Sequence, residues 1–285
     1  METTHNPPFV PRLRLYQQWL AETRGLRFDS YDALWRWSTT DTAAFWQSIW
    51  DHFELASPTP HDLVLAGGPM PHVRWFEGAQ VNYARQVLRH ADAAHAAGVP
   101  AIVSEDERGR VRELSWPELR RQVASLALAL RELGVVRGDR VVAYLPNVPE
   151  TIVAFLACAS LGAVWSVCAP DMGTGAVLDR FRQIEPKVLI AADGVFYAGK
   201  PMDRSAVVGE LRAALPTLEQ VVTLRTPFAA ERVARAHDFE TLAARDNPAV
   251  DAFEPKWLPF DHPVWVVYSS GTTGLPKPIV HGHGG

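Results

Sequence analysis

Arg140-Val141-Val142-Ala143-Tyr144-Leu145, then Pro146-Asn147-Val148-Pro149-Glu150, then the apolar run Val153 to Val167, decide the fold class. After Arg140 the first block carries no charge, which suits a strand covered on both faces. Asn147 and Glu150 stand three apart ahead of an apolar stretch, with Pro149 in the first turn. This predicts a helix capped by Asn147 and ended by Gly162. Val164 to Val167 then reads as a second strand. Strand, helix and strand at this spacing predict a parallel βαβ unit with a right-handed crossover.

The alternation extends in both directions. Upstream, Ala101 to Val103 reads as a short strand. Ser115 and Glu118 form a capping box before Val123, Leu126, Ala127, Leu130 and Leu133, and Gly134 stops that helix. Downstream, Ala176 to Ile184 is helical and Lys187 to Ala191 is a strand. The pattern runs on through Leu211, Val221 and Leu242 to a last apolar strand, Val264 to Tyr268. The class is α/β. The first residues have another texture, since Trp19, Trp35, Trp37, Trp46, Trp50 and Trp75 all fall before residue 95. Leu13, Tyr16 and Leu20, then Phe45, Ile49, Trp50 and Phe53, recur at helical spacing. Residues 1–95 therefore read as a helical, aromatic-rich region and 96–285 as the α/β domain.

Composition narrows the function. Lys+Arg total 28 against Asp+Glu 32, a net charge of −4, and no basic stripe offers a grip on nucleic acid. Cys158 and Cys168 are too few for a disulfide framework or a zinc site, and read as small core residues. The first eleven residues lack the apolar segment of a signal peptide, and the run from Val153 to Val167 is too short to span a bilayer. The expectation is a cytoplasmic protein with neither a nucleic-acid nor a membrane partner.

The chemistry is concentrated after the last strand, in Ser269-Ser270-Gly271-Thr272-Thr273-Gly274-Leu275-Pro276-Lys277. Glycines let backbone N–H groups converge on an anion, hydroxyls add donors, and a lysine supplies a point charge. In an open α/β sheet ligands bind beyond the carboxyl ends of strands, where this loop sits. A Walker A loop would need Ser or Thr after the lysine and a helix beginning there. Here Pro276 and Pro278 bracket Lys277, so loop amides and hydroxyls must hold the phosphates. His281 and His283 lack a nearby carboxylate or third histidine, so no metal site is expected from them.

Tyr268 to Lys277 resembles the phosphate loop of the adenylate-forming acyl-CoA synthetase superfamily. Trp75-Phe76-Glu77-Gly78-Ala79-Gln80-Val81-Asn82-Tyr83-Ala84 is similar to the N-terminal signature of its short-chain branch, although Arg85-Gln86 departs from the Glu-Asn found there. Gly138 to Glu150 resembles the first strand and helix of that branch. Ala163 to Ser166, Ala169 to Gly173 and Ile279 to Gly285 are most similar to its acetoacetate-activating members, with acetate-activating members next.

The resemblance implies ATP-dependent ligation of acetoacetate to CoA through an acyl-adenylate, with ATP, Mg²⁺ and CoA as the small-molecule partners. Ser269, Ser270, Gly271, Thr272, Thr273, Gly274 and Lys277 would hold the ATP phosphates. Lys200, in Tyr197-Ala198-Gly199-Lys200, would meet the 3′-phosphate of CoA, though Tyr197 stands where an arginine is expected; His281 would lie near the acyl pocket. The adenine, ribose and Mg²⁺ ligands, and the lysine that drives adenylation, are expected beyond Gly285. On this reading the chain is the first part of a longer enzyme and is inactive alone. Ligation of acetate or propionate, and a non-catalytic nucleotide- or CoA-binding module, are the alternatives.

Overall fold

A computed structural model of the chain describes residues 10–69, 71–270 and 274–285. By its internal contacts the chain divides into two compact units, one ending at Ala79 and the other running from Gln80 to Gly285.

The first unit holds α1 (Arg12–Arg24), α2 (Tyr31–Thr40) and α3 (Thr42–His52), followed by an antiparallel hairpin of β1 (Leu63–Gly67) and β2 (Val73–Glu77). The helical spacing of the aromatics is real. Tyr16, Leu20 and Leu34 are buried, with Trp19, Phe28, Trp37, Phe45 and Ile49 packed against them. Ser48 gives its hydroxyl proton to the Phe45 carbonyl, so Tyr16 donates to Ser48 Oγ at 2.6 Å. The region is not wholly helical, however: Trp75 lies in β2, with its ring edge-on to Trp46 at 5.8 Å.

The second unit opens with β3 (Gln80–Val81), α4 (Tyr83–Leu88) and α5 (Ala91–Ala96). A separate antiparallel hairpin follows, made of β4 (Ile102–Glu105) and β5 (Val111–Leu114). Next come α6 (Trp116–Glu132), β6 (Arg140–Tyr144), α7 (Pro149–Leu161) and β7 (Val164–Cys168). Ser115 Oγ accepts the Glu118 N–H and caps α6, but the Glu118 carboxylate turns to Arg121 and Gln122, so only half of the expected box forms. For α7 the N-cap is Val148, with no side-chain cap, rather than Asn147; Thr151 Oγ1 instead donates to the Pro146 carbonyl at 2.6 Å.

Beyond β7 lie α8 (Thr174–Phe181), β8 (Val188–Ala192), a hairpin of β9 (Gly194–Tyr197) and β10 (Lys200–Asp203), α9 (Ser205–Ala214) and β11 (Gln220–Leu224). The remaining elements are β12 (His237–Asp238), α10 (Phe239–Ala243), α11 (Pro248–Asp251), β13 (Leu258–Pro259), β14 (Pro263–Ser269) and β15 (Lys277–Gly282).

Seven strands make one sheet in the order β12-β11-β8-β6-β7-β14-β15. All pairings are parallel except the last, where β15 runs antiparallel to β14. Helices cover both faces, as the α/β class requires. Val141 and Ala143 point to the side of α6, α7 and α10, while Val142 and Tyr144 point to α8 and α9. This two-sided cover explains why β6 and β8 read as continuous apolar runs.

Candidate phosphate-binding hairpin

Three side chains, Ser166, Tyr144 and Tyr268, fix the ground on which the Ser/Thr/Gly loop stands. Ser166 Oγ donates to the Val266 carbonyl at 2.8 Å, tying β7 to β14 where their ladder has a single aligned pair, Trp165 with Trp265. Tyr144 OH donates to the carbonyls of Pro170 and Met172 at 2.6 and 2.9 Å, holding the turn beyond β7. Tyr268 OH donates to the Arg180 carbonyl at 2.7 Å. Burial pushes the Tyr268 phenol up to about 12, so it remains a proton donor at neutral pH. One turn on, Gln183 Nε2 donates to the Pro276 carbonyl at 2.9 Å. The end of α8 and the turn after it thus brace both arms of the hairpin.

The expected loop is the tip of this hairpin. Ser269 ends β14 and is paired in register with Lys277, the first residue of β15. Ser270, Gly274 and Lys277 are exposed. Gly274 has φ +137°, a backbone setting that a side chain would strain. Gly271, Thr272 and Thr273 lie outside the described residues. A strand directly after Lys277 was not part of the sequence expectation. Pro276 and Pro278 argue against one, but β15 is the outermost strand of the sheet, and an edge tolerates proline.

Lys200 begins β10 and is exposed. No described contact joins it to the Ser269–Lys277 hairpin. Its near neighbours are occupied: the N–H groups of Ala198 and Gly199 donate to the two carboxylate oxygens of Glu107, at 3.1 and 3.0 Å. His281 lies exposed in β15, opposite Trp265.

His283, two residues beyond the exposed His281, is buried with 7% exposure. Its Nδ1 accepts the Tyr83 N–H at 3.0 Å, so the neutral ring carries its proton on Nε2, which has no hydrogen-bond partner. The His262 ring stacks 5.8 Å away. Burial, with His262 beside it, pulls the His283 imidazole down to about 4. Gly284 follows because the Phe260 ring occupies the space a Cβ would need.

Among the described residues no group of three or more His, Cys, Asp or Glu could hold a metal ion. Both cysteines are free and buried; burial pushes the Cys168 thiol up to about 11 and the Cys158 thiol higher still. Among the described residues no helix is long and apolar enough to cross a membrane. A cleft of about 600 Å³ opens between α4, α6 and α11, and none of the residues expected to meet ATP, CoA or the acyl group lines it.

A parallel-dominated sheet with helices on both faces and a glycine- and hydroxyl-rich hairpin beyond its last parallel strand defines an α/β domain of the open-sheet class. The chain belongs to the AMP-binding enzyme family, whose family model matches residues 88–285, while residues 31–87 match the acetyl-coenzyme A synthetase N-terminus. Among solved structures, acetoacetyl-CoA synthetase from Streptomyces lividans is similar at 46% identity with a TM-score of 0.89, over 96% of this chain and 42% of that one. Among curated relatives, acetoacetyl-coenzyme A synthetase of Rhizobium meliloti is 40% identical over 94% of this chain. Malonamoyl-CoA synthetase of Penicillium aethiopicum is 33% identical over 98%. The chain spans about 40% of the length of these curated relatives.

Proposed function

We propose that the protein carrying this chain ligates acetoacetate to CoA at the expense of ATP, as an AMP-forming acid–thiol ligase. The observation that carries the reading is the 46% identity to an acetoacetyl-CoA synthetase across nearly the whole chain. An acetoacetate carboxylate oxygen attacks the α-phosphorus of ATP and pyrophosphate leaves. The CoA thiol, losing its proton, then attacks the acyl carbon of the adenylate and AMP departs. The first step brings two anions together, so it depends on positive charge and N–H donors fixed in advance.

The hairpin supports that need. Ser269, Ser270, Gly271, Thr272, Thr273 and Gly274 offer hydroxyls and amides to the β- and γ-phosphates, and Lys277 adds charge from the first rung of β15. Lys200 is read as a contact of the CoA 3′-phosphate and His281 as a neighbour of the acyl group. Mg²⁺ accompanies ATP phosphates and neutralises their charge; no described residue is assigned to it. The two free thiols fit a cytoplasmic setting.

ATP–pyrophosphate exchange with acetoacetate, acetate and propionate side by side tests the reading. The fastest exchange is expected with acetoacetate. Preference for acetate or propionate would replace the substrate and leave the adenylation chemistry standing. Absence of exchange with all three would favour a nucleotide- or CoA-binding module.

A further inference from the structure

The turn between β9 and β10 is built to bind an anion, and a side chain of the same protein already fills it. Tyr197 and Lys200 are cross-strand partners, so Ala198 and Gly199 alone make the turn. Their φ angles are +50° and +76°, both left-handed. Two-residue turns of this kind take Asn-Gly or Gly-Gly with ease, whereas alanine holds the first position at a cost of roughly 1 kcal/mol. Successive N–H groups in such a turn converge on one point and form a cradle for an oxyanion.

Glu107 sits in that cradle, one oxygen on each N–H. It is presented by the tip of the β4–β5 hairpin, which Asp106 shapes by accepting the N–H groups of Arg108 and Arg110 at 2.9 and 3.0 Å. Next to Glu107, the Arg108 guanidinium lies 5.0 Å from the centre of the Phe196 ring and 5.4 Å from that of Phe228. Arg108 also lies 3.8 Å from the Asp106 carboxylate, so its charge is shared with its own hairpin and it packs on β9 chiefly through the rings. Lys200, directly after the cradle, forms no ion pair with any described residue. Two adjacent amides followed in the chain by an unpaired ammonium suit a phosphate monoester dianion better than one carboxylate.

We propose that Glu107 is an internal substitute for phosphate: it closes the Ala198–Gly199 cradle in the unliganded protein and yields it to the 3′-phosphate of CoA. The contact makes Glu107 a brake on CoA binding, and so a determinant of the discrimination between CoA and its dephosphorylated form. This rests on the reading of Lys200 as a CoA contact.

The test compares apparent KM for CoA and for dephospho-CoA in the wild type, Glu107→Ala and Lys200→Ala, with KM for ATP measured alongside. Glu107→Ala is expected to lower KM for CoA roughly 3- to 10-fold, the scale of one charge-assisted contact, without moving KM for dephospho-CoA or ATP. Lys200→Ala should raise KM for CoA alone. If Lys200→Ala discriminates between the two thiols and Glu107→Ala does not, the Glu107 proposal is overturned and the Lys200 reading survives. If neither variant changes the ratio, both fall. A Glu107→Ala variant that weakens CoA and dephospho-CoA equally would make Glu107 a brace of the turn, which also overturns the proposal. A fall in KM for ATP instead would assign the cradle to the other phosphate-bearing substrate and overturn it too.

Discussion

The backbone N–H of Tyr83 donates to Nδ1 of His283 at 3.0 Å, joining the first turn of α4 to the segment just beyond β15. The bond needs an unprotonated Nδ1, so it links the state of one imidazole to the far end of the β14–β15 hairpin. In the unfolded chain that imidazole takes its proton near pH 6.5; in the folded protein it resists to about 4. Acid therefore favours unfolding. The stabilisation from His283 is complete above pH 6.5 and is lost as the pH falls towards 4, amounting to roughly 3 kcal/mol. Urea midpoints measured from pH 7 to pH 4 should drop for the wild type and stay flatter for His283→Gln. A His283 titration near 6.5 by NMR would contradict the account.

Asn82 is the second joint of that region. Its Oδ1 caps α4 through the N–H groups of Ala84 and Arg85, and its Nδ2 donates to the carbonyls of Ala159 and Lys256 at 2.9 and 2.8 Å. An aspartate here would set a buried carboxylate against two carbonyl oxygens. We expect Asn82→Asp to destabilise by about 3–5 kcal/mol and Asn82→Ala by about 2–3 kcal/mol, in that order, by chemical denaturation. The reverse order would show that the two carbonyls do not depend on Nδ2.

Ser166 secures β14 by one hydroxyl. Replacing it with alanine leaves the Val266 carbonyl without that donor in a buried position, and a loss of about 1–2 kcal/mol is expected. Hydrogen exchange should quicken in β14 and β15 before it does in β6 or β8. Uniform acceleration across the sheet would argue that the hairpin has no separate weakness.

Lys277 gives a functional contrast. It is exposed, and its backbone pairing with Ser269 survives any side chain. Lys277→Ala should hold its stability within about 0.5 kcal/mol. Its KM for ATP in pyrophosphate exchange should rise roughly tenfold, the loss of one ammonium–phosphate contact. An unchanged KM would remove Lys277 from the phosphate site.

The sheet was legible because its strands are buried on both faces and its helices carry helical spacing; β6, α7, β7, β8 and β14 fall within a residue or two of where periodicity puts them. What escaped has a physical reason in each case. β15 was hidden by two prolines that only an edge strand accepts. Val148 stands at the N-cap of α7 in place of Asn147 and the first turn has no side-chain cap, so the spacing of Asn147 and Glu150 misled by one residue. β4 was read as a strand, but its partner is β5 and not the main sheet, since hairpin pairing depends on a turn that periodicity does not see. At the site, the hydroxyl-rich loop was plain, while its supports were not: Arg180 and Gln183 meet the hairpin through a backbone carbonyl and a side-chain amide some ninety residues away. Glu107 and Ala198 are equally remote from each other, and no local pattern marks a carboxylate that travels to a distant turn.

The place of β14 in the sheet also bears on synthesis. β6, β7, β8 and β11 come in one stretch of chain and can pair as they leave the ribosome, but the neighbour that covers the far side of β7 is not made until residues 263–269. Until then β7 presents Trp165 and a row of unpaired backbone groups along a raw margin. A ribosome stalled before Pro263 would leave that margin open to a second nascent chain. Crowding of unfinished chains on a polysome is therefore a condition under which this domain should aggregate.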